Sequence, residues 1–306
     1  MKIFLYEKFE NNKNFLKLKK KYNLINLNSK NKYNKNQVSV IYSKFSRNLS
    51  EKFLSQFKNL KIIISATTGL NHINVKYCDK NKIKIINLNK NDQKLKNITS
   101  TSEMALSIIL AAIRKLPYYY KNSSTLFERY KYNTYQFKNY TIGIIGYGRI
   151  GKNLFNDLKH LKFKVFFYDI NKKLKKNKNY LDLKKLLKVS DIISLSLNYT
   201  SQNINFFNKR LFNQCKKNLI FVNTARGEVV NEKDLLNFLK KNKSSSAYLD
   251  VIKNETINYK KNILYKYSKQ NNNLFITPHL GGATIDSLKE TEEIVIQQFI
   301  NFKMIK

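Results

Sequence analysis

Glycine, proline and tryptophan are scarce in this chain of 306 residues, which has 8, 2 and none of them. Glycine is needed where the backbone takes a positive φ or must approach another group closely, so a chain poor in glycine keeps it where other residues fail. Here the glycines lie in segments typical of ligand-binding turns, at positions 69, 143, 146, 148, 151, 227, 281 and 282. Their positions therefore predict where function is concentrated.

Cysteine is also scarce, and the two cysteines, Cys78 and Cys215, stand far apart. Neither has a neighbouring Cys or His at the spacing of metal ligands. This pattern excludes a disulfide framework and a zinc site. We therefore expect no metal centre.

Acidic residues are few, because 20 Asp and Glu stand against 58 Lys and Arg, a formal net charge of +38. Such a charge ordinarily indicates a nucleic acid or an anionic membrane as partner. Here the lysines are spread along the whole chain, and lysine, asparagine, isoleucine and tyrosine are enriched together, as in A+T-rich coding sequences. We interpret the charge as a solvated basic surface with no specific nucleic-acid partner.

Long apolar runs are absent from the sequence. The longest, residues 108–113, is far too short to span a bilayer, and charge interrupts the first segment before a secretory apolar core could form. We expect a soluble, cytoplasmic protein with no membrane partner.

Short apolar runs alternate with amphipathic segments, which predicts parallel sheets covered by helices on both faces. The predicted strands are 3–5, 38–42, 62–64, 83–86, 142–145, 165–168, 192–197, 219–222, 247–251 and 274–276. A helix over 100–116, closed by Pro117, begins a second domain, and a final helix around 286–302 can return to the first. The predicted fold is therefore two doubly wound α/β domains.

One run of glycines carries a specific pattern, G-x-G-x-x-G, at Gly146, Gly148 and Gly151. A buried strand (142–145) leads into it, a helical periodicity follows it, and a second strand ends at Asp169, 18 positions after Gly151. Together these features form the dinucleotide-binding fingerprint, in which the pyrophosphate meets the positive end of a helix. Asp169 would bind the ribose hydroxyls and repel a 2′-phosphate. NAD is the predicted cofactor, favoured over NADP.

Later segments carry residues suited to acid–base chemistry. Arg226 follows a buried strand at its carboxyl end, where open α/β sheets bind ligands, and its guanidinium can pair with a carboxylate through two hydrogen bonds. His279 follows the last predicted strand and is the best placed histidine, because His72 follows a turn and His160 ends a lysine-rich helix. A carboxylate such as Glu255 beside His279 would stabilise the imidazolium and fix its tautomer.

The order and spacing of these motifs resemble the D-isomer-specific 2-hydroxyacid dehydrogenases over nearly the whole chain. The matching segments are residues 67–73 (Thr-Thr-Gly-Leu-Asn-His-Ile), Ser102-Glu103, 141–151, Asp169, 223–231 (Asn-Thr-Ala-Arg-Gly-Glu-Val-Val-Asn), 249–251 (Leu-Asp-Val) with Glu255, and 278–282 (Pro-His-Leu-Gly-Gly). The resemblance implies a Rossmann NAD-binding domain, residues 100–284, inserted into a smaller flavodoxin-like substrate-binding domain, residues 1–99 and 285–306. It also implies a homodimer built through the NAD-binding domain.

The resemblance further implies roles for individual residues. In the implied catalytic set, His279 exchanges a proton with the substrate, Glu255 stabilises the imidazolium and Arg226 holds the substrate. The implied cofactor-binding residues are Gly146, Tyr147, Gly148, Arg149, Ile150, Gly151, Asp169, Thr224, Ala225, Arg226 and Asp250. The implied substrate-binding residues are Ala66, Thr67, Thr68 and Gly69.

The implied activity is hydride transfer between nicotinamide and C2 of a small D-2-hydroxy or 2-oxo acid, with hydroxypyruvate, glyoxylate and lactate-like acids all suited. D-3-Phosphoglycerate dehydrogenase is an alternative. Against it, Ser65 stands where an arginine often precedes the substrate loop in that subgroup, and we expect no appended regulatory domain. An alternative of another class is an NAD-sensing binding protein on the same fold. Nucleic-acid binding through the basic surface is a further alternative.

Overall fold

A computed structural model describes residues 2–29, 32–45, 47–89, 92–122 and 134–304. The chain divides into two compact units, the first comprising Met1–Ile98 with Ala283–Lys306 and the second comprising Thr99–Gly282. Each unit is built on a parallel sheet with helices. The predicted fold class of two parallel α/β domains is therefore confirmed, and the limits of the functional domains stay a prediction.

Strands and helices alternate through both units. The strands are β1 (Ile3–Tyr6), β2 (Asn23–Asn26), β3 (Val38–Ser43), β4 (Ile62–Ser65), β5 (Lys84–Asn87), β6 (Thr141–Ile145), β7 (Lys164–Tyr168), β8 (Ile192–Leu195), β9 (Ile220–Asn223), β10 (Ser246–Leu249) and β11 (Leu274–Ile276). The helices are α1 (Asn12–Lys19), α2 (Glu51–Leu54), α3 (Val75–Lys80), α4 (Ser100–Ile113), α5 (Leu116–Lys121), α6 (Arg149–His160), α7 (Leu183–Val189), α8 (Lys209–Phe212), α9 (Glu232–Lys241), α10 (Glu255–Asn258), α11 (Ile263–Gln270) and α12 (Ile285–Met304). Within the described ranges, no helix is both long and apolar enough to cross a membrane.

The first unit contains a five-stranded sheet in the order β2-β1-β3-β4-β5, which is the flavodoxin-like order. Every residue of β3 and of β4 is buried, as expected for parallel strands covered by helices on both faces. Helix α12 packs on this sheet, because Val295 and Phe299 share a core cluster with Phe4 and Val40. The last helix therefore belongs to the first unit.

The second unit contains a six-stranded sheet in the order β11-β10-β9-β8-β6-β7. The strand order reverses at β6, which has β7 on one side and β8 on the other. Open α/β sheets bind ligands beyond the carboxyl ends of their strands at such a switch point. Helices α4 and α6 cover this region, where Ile109 and Leu154 pack with Ile142 and Ile144. The loop from β6 to α6, which carries the glycine pattern, thus lies at the switch point.

The structure corrects the helix predicted over residues 100–116. Helix α4 ends at Ile113, and Lys115 takes a left-handed conformation with φ 52°. Pro117 then lies in the first turn of α5 instead of closing the preceding helix. Proline fits a first turn because the N–H that it lacks has no intrahelical partner there. Strand β2 is an addition to the predicted strands, since its exposed and half-buried residues, Asn-Leu-Ile-Asn, lack an apolar run.

Asparagine, which is abundant in this chain, caps many of its helices. The side chains of Asn11, Asn74, Asn231 and Asn262 accept hydrogen bonds from backbone N–H groups in the first turns of α1, α3, α9 and α11. Such caps satisfy donors that the helix leaves unpaired. The abundant asparagines therefore serve as N-caps of helices in this protein.

A buried carboxylate ties α12 to the loop after β1 in the first unit. Glu292 is fully buried, and its side chain accepts hydrogen bonds from the backbone N–H groups of Glu10 at 2.8 Å and Asn11 at 3.1 Å. The Asn14 amide donates to the same carboxylate at 3.2 Å. A buried charge with this many donors is well satisfied, and removing it leaves those donors unpaired.

We predict that Glu292→Ala lowers the free energy of unfolding by roughly 2–4 kcal/mol, because buried donors lose their acceptor. Chemical denaturation of both proteins measures the difference. Glu293→Ala is the matched control, since the carboxylate of this exposed neighbour accepts a hydrogen bond from the Asn11 side chain at 3.2 Å. Equal loss in the two variants would contradict a specific role for Glu292.

Candidate active site

The glycine loop between β6 and α6 has the geometry of a phosphate-binding turn. Gly146 takes φ 98°, a conformation that favours glycine. A Cβ on Gly151 would lie 2.0 Å from the Gly146 carbonyl oxygen, so α6 packs directly on the turn. A Cβ on Gly148, in contrast, would meet no heavy atom within 4 Å. Gly148 is therefore the position at which a ligand can meet the backbone.

Helix α6 presents its amino end to this open space. It begins at Arg149, directly after Gly148, and the first N–H groups of a helix attract anions. The buried hydroxyls of Ser196, after β8, and Thr224, after β9, have no hydrogen-bond partner among the described residues. Both lie at the carboxyl edge of the same sheet. The phosphate and ribose oxygens of a dinucleotide can supply such partners, so the residues present fit this group.

Asp169 follows β7 and holds the glycine loop. One carboxylate oxygen accepts a hydrogen bond from the Tyr147 N–H at 2.7 Å and the other accepts one from the Asn171 N–H at 2.8 Å. The Tyr147 ring stacks on Phe167, with 3.7 Å between ring centroids. Because each carboxylate oxygen can accept more than one hydrogen bond, Asp169 retains capacity for a ribose hydroxyl.

Arg226 follows β9 in a loop that is stabilised by hydrogen bonds between its own residues. The Asn223 amide donates to the Arg226 carbonyl at 2.9 Å, and Arg226 Nη1 donates to the Ala225 carbonyl at 2.7 Å. Burial lowers the pKa of the Arg226 guanidinium, and the Glu255 carboxylate is the largest of the charges that oppose this effect. A guanidinium still stays protonated in proteins. Arg226 therefore offers a fixed, half-buried cation to an anionic ligand.

Gly227 allows the loops after β9 and β10 to touch. A Cβ at this position would lie 2.1 Å from the carbonyl carbon of Ile252, a distance that no side chain can occupy. This backbone contact brings the loop of Arg226 against the loop that leads to Glu255. The glycine is required for the site to assemble.

His279 lies in a tight turn after β11 and takes φ 56°, which is uncommon outside glycine. Asp250, which is 1% exposed, holds this turn, and its carbonyl accepts the His279 N–H at 2.9 Å. The Asp250 carboxylate accepts hydrogen bonds from Thr277 Oγ1 at 2.6 Å, Leu280 N–H at 2.8 Å and Gly281 N–H at 2.8 Å. Asp250 is thus a support of the histidine turn, and its contact with the cofactor stays a prediction.

Glu255 begins α10, directly after Asn254, which takes φ 55°. Its Oε1 lies 2.5 Å from His279 Nδ1, and its Oε2 accepts a hydrogen bond from the Ile252 N–H at 3.3 Å. The Glu255 and His279 side chains are 18% and 25% exposed, so the pair is partly shielded from water. This carboxylate fixes the imidazole orientation and can stabilise its protonated form.

Glu232 supports the loop of Glu255, although no sequence pattern marks it as a functional residue. Its carboxylate accepts hydrogen bonds from the Lys253 N–H at 2.8 Å and from the Asn262 amide at 2.8 Å. Burial raises the pKa of Glu232, and these bonds act in the opposite direction. Glu232 lies 21 positions from Lys253 and 30 positions from Asn262, so no local sequence pattern links it to them.

The structure brings Arg226, Glu255 and His279 to neighbouring loops at the carboxyl edge of the second unit's sheet, after β9, β10 and β11. Thr224 and Ala225 lie on the same edge. The predicted substrate segment, 66–69, follows β4 at the carboxyl edge of the first unit's sheet. The roles assigned to all these residues stay predictions.

The other histidines differ from each other in environment. His160 is exposed, and its Nδ1 lies 2.8 Å from the Asn156 carbonyl oxygen within α6. His72 is only 1% exposed and lies in the first unit. The sequence placed His72 after a turn but gave no sign of this burial.

Residues 106–281 match the family described as D-isomer specific 2-hydroxyacid dehydrogenase, NAD binding domain. The match includes the glycine loop, Asp169, Arg226, Glu255 and His279. The chain belongs to this dehydrogenase family. It is an NAD-dependent oxidoreductase, in agreement with the fit of the glycine loop to a dinucleotide. The assignment of residues 146–151 and Asp169 to NAD binding stays a prediction.

Individual relatives match most of this chain. The chain is 27% identical to glyoxylate reductase from Thermococcus litoralis, over 87% of this chain and 81% of that protein. It is 30% identical to D-3-phosphoglycerate dehydrogenase from Archaeoglobus fulgidus, over 80% of this chain but only 45% of that protein. The structure of D-lactate dehydrogenase from Aquifex aeolicus, complexed with NAD and lactic acid, superposes with a TM-score of 0.80 and 25% identity, over 99% of this chain and 95% of that chain.

We predict that alanine at one glycine of the loop affects NADH binding and that alanine at another affects thermal stability. Gly148→Ala should leave thermal stability unchanged and weaken NADH binding by about tenfold or more, because its Cβ takes space where the ligand meets the backbone. Gly151→Ala should lower the melting temperature, because its Cβ collides with the Gly146 carbonyl. Thermal unfolding and NADH fluorescence titration measure both effects. Unchanged NADH affinity in Gly148→Ala would contradict this account of the loop.

Proposed function

We propose that the enzyme transfers a hydride reversibly between nicotinamide and C2 of a small D-2-hydroxy acid, with Arg226, Glu255 and His279 as catalytic residues. The observation that carries this proposal is the 2.5 Å contact between His279 Nδ1 and Glu255 Oε1 on a loop packed against that of Arg226. Bound NAD would accept or supply the hydride. The residues of the chain must then move the proton and balance the charges.

His279 is the proposed proton carrier. Its Nδ1 is engaged with Glu255, so Nε2 is the nitrogen that exchanges a proton with the substrate oxygen. In oxidation Nε2 removes the hydroxyl proton, and in reduction the imidazolium returns it. The Glu255 carboxylate stabilises the imidazolium that exists between these steps. The Asp250 bonds keep the ring in place while its charge changes.

Arg226 is the proposed anchor for the substrate. A 2-oxo acid carries a carboxylate beside its carbonyl, and the planar guanidinium can donate to both groups. In reduction, negative charge develops on the carbonyl oxygen as the hydride arrives, and a nearby cation stabilises that charge. Arg226 thereby orients the substrate and favours the reaction.

The segment from Ala66 to Gly69 is the proposed second binding element for the carboxylate. Among the described residues, the backbone N–H groups of Thr67, Thr68 and Gly69 have no hydrogen-bond partner. Backbone donors grouped in one turn form an anion-binding concavity. This arrangement supports recognition of a carboxylate by the loop.

We propose a glyoxylate-like, hydroxypyruvate-like or lactate-like acid as the substrate. The names of the Thermococcus litoralis and Aquifex aeolicus relatives support small acids of this kind. Phosphoglycerate is the alternative, supported by the Archaeoglobus fulgidus relative, of which this chain covers less than half. Rates of NADH consumption with a panel of 2-oxo acids, including 3-phosphohydroxypyruvate, decide between them.

A binding protein that senses NAD without turnover is the competing proposal of another class. It requires a cofactor site but not a proton carrier. The paired His279 and Glu255, with Arg226 on the adjoining loop, support the enzyme instead. We further propose a homodimer, which the family resemblance supports and which sedimentation analysis of the purified chain measures. A cytoplasmic location is proposed from the lack of a long apolar run, and fractionation of cells measures it.

We predict that His279→Ala lowers kcat by roughly 10²–10⁴-fold, the usual contribution of a positioned proton donor, while the NADH dissociation constant stays near the wild-type value. Steady-state reduction of the best 2-oxo acid measures the first quantity and fluorescence titration the second. His160→Ala is the matched control, because that exposed histidine lies outside the site. Normal turnover by His279→Ala would assign the turn a structural role only.

We predict that Arg226→Lys lowers kcat/KM by about one to two decades, because lysine keeps the charge but loses the planar pair of donors. Kinetics with the same 2-oxo acid measure this loss, with NADH affinity as the control for folding. An unchanged kcat/KM would remove Arg226 from substrate binding. No turnover by the wild-type protein across the panel would favour the NAD-sensing alternative.

A further inference from the structure

His72 is a buried histidine that the proposed chemistry does not use. It is 1% exposed, its ring lies against Phe45 with 5.0 Å between ring centroids, and its carbonyl accepts the Leu49 N–H at 2.7 Å. A parallel bridge joins Leu49 to Ile73 beside it. The imidazole is therefore held at a fixed place in the first unit.

Hydrogen bonds connect this imidazole to the proposed carboxylate-binding loop. His72 Nε2 lies 3.3 Å from Ser65 Oγ, and Ser65 Oγ lies 2.9 Å from Thr67 Oγ1. Thr67 Oγ1 donates to the Gly69 carbonyl at 2.7 Å. Ser65 is the last residue of β4 and is fully buried, so the connection runs from the core of the unit into the loop.

The donors and acceptors in this connection can be assigned by counting protons. A hydroxyl has one proton to donate, and that of Thr67 is used on the Gly69 carbonyl. In the contact between Ser65 and Thr67, Ser65 must then be the donor. Its only proton is thereby used, so Ser65 Oγ must accept from His72, and His72 must carry a proton on Nε2. The hydrogen bonds form a directed relay from His72 through Ser65 and Thr67 to Gly69.

The relay acts on a carbonyl oxygen within the anion-binding loop. A carbonyl oxygen that faced the substrate carboxylate would repel it, and the Thr67 hydroxyl holds the Gly69 carbonyl in a fixed direction. The backbone N–H groups of Thr67, Thr68 and Gly69 have no partner among the described residues and so stay available to an anion. Each bond in the relay keeps the next donor correctly oriented.

We propose that His72 is a positioning residue for substrate binding, and that its Nε2-protonated imidazole orients the 66–69 loop through Ser65 and Thr67. The proposal rests on the proposed function, in which this loop binds the substrate carboxylate. His72 does not touch the reacting atoms. Its loss should therefore weaken substrate binding and leave the hydride step and NADH binding intact.

The first test is spectroscopic and needs no turnover. The chain has 3 histidines, so ¹⁵N-histidine labelling gives few signals, and the His72→Gln spectrum identifies those of His72. We expect the His72 Nε2 to show the ¹⁵N shift of a protonated nitrogen in the wild-type protein. An Nε2 that is unprotonated, or only partly protonated, would overturn the relay.

The second test compares two replacements of similar length. His72→Gln retains an N–H donor near the position of Nε2, and His72→Met does not. We expect His72→Met to raise KM for the 2-oxo acid about tenfold, the scale of one net hydrogen bond, with kcat and the NADH dissociation constant within about twofold of wild type. His72→Gln should restore KM to within about threefold of wild type.

The matched control for buried volume is Cys78→Ala. Cys78 is fully buried and belongs to the same core cluster as Ile73, but it takes part in none of the hydrogen bonds of the relay. We expect it to lower thermal stability without changing KM. An equal rise of KM in the Cys78 and His72→Met variants, or no recovery in His72→Gln, would overturn the proposal.

The two proposals fail in different ways. If the wild-type protein reduces no 2-oxo acid, the proposed function fails, and the protonation of His72 Nε2 still decides whether the relay exists. If the wild-type protein turns over while His72→Met keeps a normal KM, only the positioning role is lost. A rise in KM confined to His72→Met supports both proposals.

Discussion

The position of His279 depends on one buried carboxylate. A histidine at φ 56° occupies a region that costs non-glycine residues on the order of 1–3 kcal/mol, so the turn needs support from outside itself. Asp250 supplies it with hydrogen bonds to Thr277, Leu280 and Gly281. Because Asp250 follows β10 and the turn follows the neighbouring strand β11, the sheet itself sets where the imidazole lies.

The loops of Arg226 and Glu255 are also held by contacts with other parts of the second unit. The absence of a side chain at Gly227 lets the Arg226 loop touch Ile252, and Glu232 holds the next residue, Lys253, through its N–H. The proposed catalytic groups thus project from three adjacent strand ends with short connections. Such rigidity is what catalysis by positioning requires, since small displacements of a proton carrier cost much of its rate.

Four of the acidic residues in the described part of the chain occupy buried positions. Despite the net charge of +38, the carboxylates of Glu7, Glu232, Asp250 and Glu292 are all buried. Each accepts a hydrogen bond from at least one backbone N–H group in a loop distant in sequence, as Glu7 does from Lys44 at 2.8 Å. Buried carboxylates satisfied in this way fix loops in place. A protein with a strongly positive net charge thus uses buried carboxylates to hold several of its loops.

Local sequence patterns predicted the strands and the residues of the candidate site. Consecutive residues carry the glycine fingerprint, the apolar strands and the strand-end positions of Arg226 and His279, because strand burial and glycine turns act over a few residues. The sequence could not show the left-handed break at Lys115, the half-exposed strand β2 or the burial of His72, since packing with distant segments decides each of them. The supports given by Asp250 and Glu232 join residues about 20 to 30 positions apart through hydrogen bonds, which leave no periodic trace. The sequence therefore determined which residues are available for chemistry, and the tertiary structure decided what holds them in position.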